Sequence, residues 1–489
     1  MENNENKKVV TRFAPSPTGF MHVGNLRTAL FTYLLAKKNN GTLILRIEDT
    51  DKEREVEGAT EHIQKVLKWV GVKWDEGPDI GGPNAPYTQS ERLGLYKKYA
   101  EKLIEKGFAY PDPYKEEEVE ELRKKAEFEK RPFLFREHRP EIFDKWDGTK
   151  PLRFKVPEVK SYHWHDLVFG NLSAGPEALD DFILIKSDGY PTYNFCHVVD
   201  DIEMGITHVV RGQEYISSIP KYLSLYEALG VNPPVFVCLP HIMGKDGIKK
   251  LGKRDGAKDS LDYKEEGYLP EAMINFLVFL GWHPSDDKEI FTIEELLEVF
   301  DAERIQKAGA QWNDDKLNWF NREYLKKLSR EDQFKYVEKF IPQSLKDLPE
   351  YNLNIINKIT PVIMERISSG KDIVDMTNNG DITYFFNVPA YEKEKLIFKN
   401  STAETIINNL KNAIDKLDEI EDNDFKKDKI KECLNSISNL TGKVGEVLHP
   451  VRFALSGLDK SPDPFILAEI LGKKETLGRL EKAVSMLGK

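Results

Sequence analysis

The chain has 489 residues, a length that predicts three to four folded modules instead of a single domain. Hydrophobic residues make up 40% and charged residues 31%, so the chain can bury cores, while its apolar runs fall short of the roughly 20 residues needed to span a bilayer. The net charge of −11 gives no general affinity for nucleic acid, but phosphates respond to the local field over about 8–10 Å, so an acidic chain can still carry a basic groove.

The N-terminal residues and the cysteines favour a cytoplasmic location. The opening segment, MENNENKKVV, is polar and lacks the apolar stretch of a secretion signal. The three cysteines are odd in number and widely spaced, at Cys196, Cys238 and Cys433. We therefore expect free thiols in a reducing compartment and no disulfide framework.

The first part of the chain predicts a parallel sheet. VVTRFAP (9–15) is typical of a strand, 24–38 has apolar residues at helical spacing, and LILRI (43–47) predicts a second strand. A strand–helix–strand unit of this kind implies parallel pairing. Strand-like runs return at THVVRG (207–212) and PVFVCLP (234–240), with a helical pattern between them, so we expect one sheet split by an insertion.

The rest of the chain predicts an α+β insertion and a helical C-terminal half. A charged helical pattern and short aromatic strand-like pieces lie within 110–185, and sparse glycine with Lys/Glu/Leu/Ile periodicity dominates beyond 322. The expected fold is a Rossmann-like parallel-sheet domain split by an α+β insertion and followed by an all-α bundle. Its expected limits are 1–109 and 186–255 for the sheet domain, 110–185 for the insertion, 256–321 for a helical region and 322–489 for the bundle.

Two short segments contain the residues that we expect to contact nucleotide phosphates. The first, PSPTGFMHVGN (15–25), lies between a strand and a helix, where His22 stands at a helix N-terminus that offers N–H groups to phosphate. Gly24 lets the backbone approach a nucleotide closely, and Asn25 completes the segment. Taken alone, this pattern is equally typical of an ordinary strand–turn–helix with a capping histidine.

The second segment is a basic, glycine-bounded loop at 249–254, Lys-Lys-Leu-Gly-Lys-Arg. Lys250, Lys253 and Arg254 can neutralise a triphosphate as pyrophosphate leaves, and Lys253, a compact charge on a flexible stem, is the expected main cation. Without the upstream segment, a solvated basic turn would explain the loop as well.

Together and in this order, the two segments resemble the HIGH and KMSKS signatures of class I aminoacyl-tRNA synthetases. RFAPSPTG, RIEDTD and YPTYNFCHVVDD narrow the resemblance to the bacterial glutamyl-tRNA synthetases, and it extends over nearly the whole chain. One departure is Gly252, which stands where the family usually has serine and removes a hydroxyl donor. The resemblance implies an ATP-dependent, AMP-forming glutamate–tRNA ligase with a catalytic domain, an acceptor-end-binding insertion, a stem-contact region and an anticodon-binding bundle.

Charged residues at strand ends predict the amino-acid site. Arg12 and Arg211 end two strands of the expected sheet, and a planar guanidinium matches a carboxylate. Glu48, near the end of a third strand, can hold an ammonium group; for any one of these residues alone, a strand-end ion pair is the simpler explanation. The resemblance assigns glutamate binding to Arg12, Ser16, Glu48, Tyr193 and Arg211. It also places Glu214 in the region of ATP contacts. His197 can contact the substrate, but it can equally be a buried neighbour of the pocket.

The resemblance also implies which ligands and partners the protein binds and which it does not. Relatives that carry zinc have cysteines in the insertion, where this chain reads AYPDPY (109–114) and has no cysteine, so we expect no protein-bound zinc. Magnesium should arrive with ATP, since the nucleotide phosphates largely hold it. The expected partners are L-glutamate, ATP and the tRNA for glutamate, with no membrane, and the family suggests a monomer.

Three alternatives remain at this point. Glutaminyl-tRNA synthetases share the sheet domain, but their anticodon half is a β-barrel. The glutamyl-queuosine-forming relatives lack an anticodon domain, which this chain has. A catalytically inactive RNA-binding module is disfavoured by the presence of His22, Lys253, Arg12 and Glu48.

Overall fold

The computed structural model describes residues 8–252, 258–441 and 443–488. The chain divides into two units, one formed by Met1–Lys264 and Pro270–Phe320 and the other by Glu265–Leu269 and Asn321–Lys489. Each unit has its own hydrophobic core. The predicted limits of the smaller regions stay predictions.

A mixed sheet organises the first unit. Within the described residues its strand order is β2-β1-β8-β9-β5-β6, and the neighbours from β2 to β5 run parallel, while β5 and β6 form an antiparallel hairpin. The strands of this sheet are β1 (Val10–Phe13), β2 (Thr42–Leu45), β5 (Tyr162–Asp166), β6 (Gly170–Ala174), β8 (His208–Gly212) and β9 (Val235–Leu239). The predicted strands at 9–15, 43–47, 207–212 and 234–240 all belong to it, which confirms the parallel-sheet prediction.

Two smaller sheets complete the described part of the first unit. The antiparallel sheet β3-β4-β7 lies in the insertion, and β10 pairs with β11 in parallel. Their strands are β3 (Ala109–Pro111), β4 (Leu152–Phe154), β7 (Ile183–Ile185), β10 (Ile242–Met243) and β11 (Ala310–Gln311). The helices are α1 (Val23–Lys38), α2 (Ala59–Trp69), α3 (Leu93–Glu105), α4 (Glu116–Phe128), α5 (Tyr193–Glu203), α6 (Ile219–Leu229), α7 (Ser260–Glu265), α8 (Pro270–Phe279), α9 (Ile293–Val299) and α10 (Asp314–Lys327).

The hairpin β5–β6 joins the main sheet although the sequence analysis groups its residues with the insertion. Asp166, fully buried, accepts hydrogen bonds from the backbone N–H groups of Val168 and Phe169 at the hairpin turn and from the N–H of Cys238 in β9. One carboxylate thereby closes the turn and attaches the hairpin to β9. A local strand pattern does not reveal which sheet a hairpin joins, because that depends on this distant contact.

The second unit is helical throughout its described residues. Its helices after α10 are α11 (Arg330–Phe340), α12 (Gln343–Lys346), α13 (Leu353–Met364), α14 (Gly370–Asn378), α15 (Ala403–Asp418), α16 (Lys427–Thr441), α17 (Val444–Ser456), α18 (Pro464–Leu471) and α19 (Lys473–Leu487). In α15, Ile406, Leu410, Ala413 and Leu417 recur at helical spacing and are fully buried. They face a core shared with α17 and α19, so the all-α prediction for this half is confirmed.

No helix within the described ranges is both long enough and apolar enough to cross a membrane.

Candidate active site

A cavity of about 550 Å³ lies at the carboxyl ends of β1, β8 and β9 in the first unit. Parallel sheets gather ligands at this edge, because successive strands end there beside the N-termini of the following helices. Its walls come from four stretches of the chain, residues 12–28, 210–215, 239–242 and 250–252, together with Tyr193. The two sequence segments predicted to bind ATP therefore reach the same cavity.

Nine of the predicted site residues line this cavity. They are Arg12, Ser16, His22, Gly24, Asn25, Tyr193, Arg211, Glu214 and Lys250. Glu48 is not among the lining residues, and Lys253 and Arg254 lie outside the described residues. The roles assigned to all twelve stay predictions, and the contacts of each described one are given below.

His22 caps the helix that enters the cavity. Its Nδ1 accepts a hydrogen bond of 3.0 Å from the backbone N–H of Gly24, the second residue of α1. An acceptor Nδ1 places the proton of the neutral ring on Nε2. A side chain at position 24 would meet the ring, since a Cβ there would lie 2.8 Å from Cε1 of His22. Glycine is therefore required for this imidazole orientation.

Arg211 presents a buried cation to the cavity. Only 5% of the residue is exposed, and its Nη2 donates to the hydroxyl of Tyr193. The ring of Tyr215 lies 4.2 Å from the guanidinium carbon. Burial works against the charge, but the surrounding tyrosine hydroxyls and Asp201 raise the pKa of Arg211 above its ordinary value. Its Nε and Nη1 have no hydrogen-bond partner among the described residues, which leaves two donors for an anionic ligand.

Arg12 is held by a buried acid beneath the cavity. Its Nε donates to Oδ1 of Asp201 at 3.0 Å, and the same oxygen accepts from Nη1 of Arg46 at 2.8 Å. Burial would raise the pKa of Asp201, but Arg12 and Arg46 overcome that effect and lower it to about 2. Asp201 thus stays ionised and fixes one edge of the Arg12 guanidinium while another part of the side chain lines the cavity.

Glu48 belongs to the same buried network. Its Oε1 accepts from Nη2 of Arg46 at 2.8 Å, and 4% of the residue is exposed. Burial raises the pKa of Glu48, with Arg46 and Arg12 opposing that shift. An arginine two residues away in sequence therefore already neutralises the carboxylate predicted to hold the substrate ammonium. Strand-end position alone could not show this pairing.

Glu214 and Lys250 form an ion pair across the cavity. Nζ of Lys250 lies 2.9 Å from Oε1 of Glu214, and Nδ1 of His241 lies 3.6 Å from Oε2. Burial is the largest single effect and opposes the charged form of Glu214, but the hydrogen bond from Lys250, a backbone hydrogen bond and the Lys250 charge together lower the pKa of Glu214. A Cβ at Gly212 would lie 2.1 Å from this carboxylate, so glycine leaves the space that Glu214 occupies.

Three residues that were not predicted from the sequence also line the cavity: Arg27, His241 and Tyr215. Arg27 is a buried charged residue on the mostly apolar buried face of α1, and it donates to the carbonyl oxygens of Leu280 and Pro240. Desolvation lowers its pKa to about 10. A charged residue on a buried helix face was a signal available in the sequence, whereas His241 and Tyr215 carried none.

His197 is a neutral neighbour of the site and does not line the cavity. Its Nδ1 lies 2.7 Å from the carbonyl oxygen of Tyr193, which as an acceptor requires the proton on Nδ1. Burial and the charge of Arg211 hold its pKa well below the ordinary value. The ring stacks on Tyr193 at 4.9 Å, so His197 supports the tyrosine that bonds Arg211.

The basic residues of the insertion are largely engaged within it. Arg139 pairs with Asp181 and Arg153 pairs with Asp112, and the guanidinium of Arg153 lies 3.4 Å from the centre of the Phe135 ring. No group of three or more His, Cys, Asp or Glu side chains that could hold a metal ion occurs in the described part of the chain. The zinc prediction stays a prediction.

Comparison with known proteins agrees with this fold. The family described as tRNA synthetases class I (E and Q), catalytic domain, matches residues 8–319, and an anticodon binding domain matches residues 332–484. Those matches and the sheet-edge cavity place the chain in the class I tRNA synthetases.

Individual relatives show which family within this class the chain belongs to. The glutamate–tRNA ligase of Clostridium botulinum is 45% identical over 98% of this chain and 99% of its own length, and that of Clostridium acetobutylicum is 44% identical over 99% of both. The crystal structure of the glutamate tRNA ligase from Elizabethkingia meningosepticum, in complex with its amino acid, is 37% identical, with a TM-score of 0.89 over 98% of this chain and 100% of that one. The chain belongs to the glutamate–tRNA ligase family, which confirms the resemblance predicted from the sequence.

Proposed function

We propose that this protein is a glutamate–tRNA ligase that activates L-glutamate with ATP and transfers it to the tRNA for glutamate. The observation that carries the proposal is Arg211, a buried guanidinium with two unpaired donors in a cavity that both ATP-signature segments also line. A buried cation of this kind is stabilised when an anionic ligand completes its hydrogen bonds. The relatives of the chain are glutamate–tRNA ligases over nearly their whole length.

The side-chain carboxylate of glutamate accepts from Arg211, with Arg12 adding a second positive charge. A carboxylate offers two charged acceptors to the guanidinium, whereas a glutamine amide offers one acceptor and turns its NH2 group toward the same donors. Sites that hold a substrate through specific polar groups discriminate by about 10⁴-fold or more. Ser16 and Tyr193 orient the ligand, whereas Glu48, neutralised by Arg46 and outside the cavity lining, supports the site through the Arg46 network.

The first reaction step is an in-line displacement at phosphorus. An oxygen of the glutamate α-carboxylate forms a bond to the α-phosphorus of ATP, and the bond from that phosphorus to the bridging oxygen of pyrophosphate breaks. Nε2–H of His22 and the Lys250, Lys253 and Arg254 cations stabilise the charge that builds on the phosphate oxygens. Catalysis requires no enzyme nucleophile, because positioning and electrostatic stabilisation supply it.

Transfer to tRNA follows. A hydroxyl of the 3′-terminal adenosine ribose attacks the activated carbonyl and releases AMP, and the class I resemblance suggests the 2′-hydroxyl. Magnesium would enter with ATP as part of that substrate and would supply positive charge to its phosphates. The protein works as a monomer in the cytoplasm, where its three cysteines stay free; the structure gives all three as unpaired thiols.

Glutamate- and tRNA-dependent exchange of labelled pyrophosphate into ATP tests the proposal. The expected result is exchange with glutamate and the tRNA for glutamate, at a rate at least about 10³-fold above that with glutamine. The family match covers both E and Q enzymes, so faster exchange with glutamine would identify a glutaminyl enzyme instead. Tight binding of tRNA without any exchange would indicate an inactive RNA-binding protein.

A further inference from the structure

His62 in α2 lies between the first ATP-signature segment and the chain that follows the basic loop, without lining the cavity. Its Nδ1 accepts a hydrogen bond of 3.3 Å from the backbone N–H of Met21, the residue before His22. Its Nε2 lies 2.8 Å from Oδ1 of Asp259. An acceptor Nδ1 places a proton on Nε2, so the N–H edge of the imidazole lies against the Asp259 carboxylate, without the alignment of a regular hydrogen bond. Phe20 stacks on the imidazole at 4.6 Å and covers it from solvent.

Asp259 belongs to the segment that follows the basic loop in sequence. The backbones of His22 and Asp259 form an antiparallel bridge, and the N–H of Ser260 donates to the carbonyl oxygen of Met21 at 2.9 Å. Oδ1 of Asp259 also accepts from the N–H of Leu261 at 2.9 Å, in the first turn of α7. The chain after the basic loop is therefore attached to Met21 and His22 of the first signature.

We propose that His62 and Asp259 form a positioning pair that holds the two ATP signatures at the separation ATP requires. The pair acts through Met21 and the 258–260 segment, since neither side chain lines the cavity. The side chains are 10% and 23% exposed, so solvent screens their interaction less than that of a surface pair. Loss of the pair loosens one attachment between the signatures, and the proposal rests on the ATP-dependent function above.

Loss of the His62–Asp259 pair should weaken ATP binding and leave glutamate binding unchanged. The first signature supplies His22, and the basic loop supplies cations a few residues before Asp259 in the sequence, so a change in their separation alters both sides of the triphosphate site. Displacement of a positioning element by about 1 Å can cost up to 10²-fold in rate. Arg211 and Arg12 are held by other contacts, through Tyr193 and Asp201, so glutamate binding stays unchanged.

The test compares four variants. His62→Gln carries an amide that reaches the Nε2 position and keeps a donor facing Asp259, whereas His62→Asn carries its amide near the Nδ1 position and loses that donor. Asp259→Asn removes the carboxylate charge. Asp262→Asn is the matched control, because it makes the same charge change three residues further on, at an exposed position of α7. Thermal unfolding of each variant establishes that it folds.

KM for ATP, KM for glutamate and kcat are measured by tRNA-dependent pyrophosphate exchange. We expect His62→Asn and Asp259→Asn to raise KM for ATP about tenfold, with KM for glutamate within about twofold of wild type. For His62→Gln and Asp262→Asn, KM for ATP and KM for glutamate should both stay within about threefold of wild type. The double variant His62→Asn/Asp259→Asn should be no worse than either single variant, because both remove one interaction.

Two results would refute the proposed positioning role of His62 and Asp259. Equal values for Asp259→Asn and Asp262→Asn would show that only net charge matters, and effects that multiply in the double variant would show that the residues act separately. ATP affinity of the free enzyme, measured by titration calorimetry, tests the pair independently of turnover and should fall in the same variants. A wild-type protein without glutamate-dependent exchange would refute the proposed function, whereas an active wild type with unchanged variants would refute this inference alone.

Discussion

Replacement of Arg211 by alanine should remove glutamate recognition and leave ATP recognition intact. The two unpaired donors of this side chain, Nε and Nη1, are buried in the cavity wall. Hydrogen bonds to charged groups contribute roughly 1.5–3 kcal/mol each, so two such bonds contribute about 3–6 kcal/mol. Water that enters the vacated space recovers part of this, so we place the expected loss at about 3–4 kcal/mol.

That loss corresponds to a fall of roughly 10²–10³-fold in kcat/KM for glutamate, since about 1.4 kcal/mol is one factor of ten. KM for ATP should stay within about twofold. Arg211→Lys is the control for charge: it keeps the cation but loses the planar fork, and we expect it to recover less than a tenth of the lost activity.

Lys250→Ala provides the reciprocal comparison. Its Nζ bonds Glu214, and both residues are predicted to bind ATP, so removal of the lysine should raise KM for ATP and leave KM for glutamate unchanged. Steady-state pyrophosphate exchange with each substrate varied in turn measures both variants. If Arg211→Ala raised KM for ATP and KM for glutamate by the same factor, the division of the cavity into two subsites would be wrong.

The remaining predictions concern the supports of the site. Gly24→Ala should lower kcat about tenfold or more without lowering the melting temperature, because a Cβ there would displace the His22 ring; an unchanged kcat would remove the orientation of His22 from the mechanism. Lys253→Ala should reduce adenylate formation about 10²-fold or more with unchanged thermal unfolding, and near-normal adenylate formation would exclude Lys253 as the main cation. Asp201→Asn should raise KM for glutamate and destabilise the fold by about 2–4 kcal/mol in urea unfolding, because Arg12 and Arg46 lose their shared acid. Since the pKa of Asp201 is lowered to about 2 in the fold, its charge stabilises the fold above the unfolded value near 3.9, and this contribution is lost as the pH falls toward 2. The stability difference between wild type and Asp201→Asn should therefore shrink between pH 4 and about pH 2, and a difference independent of pH would show that the carboxylate charge is not what stabilises this network.

The sequence by itself determined the local parts of this protein. A strand followed by Pro-Ser-Pro-Thr-Gly and a helical pattern fixes a turn that delivers His22 to a helix start, since φ restriction at proline and helix capping act within a few residues. The resemblance of both signatures identified the family, and the spacing of apolar residues beyond 322 predicted the helical half.

Only the tertiary structure decided which charges pair. Arg12 meets Asp201, 189 positions further along the chain, because the fold brings the end of β1 next to α5. Arg46 neutralises Glu48, and Asp166 attaches a hairpin to β9. Desolvation makes such pairing obligatory for buried ions, but strand order and helix packing choose the partner. A charged residue near a strand end can therefore be recognised as important from the sequence, whereas its freedom to bind a substrate depends on neighbours that the folded chain brings to it.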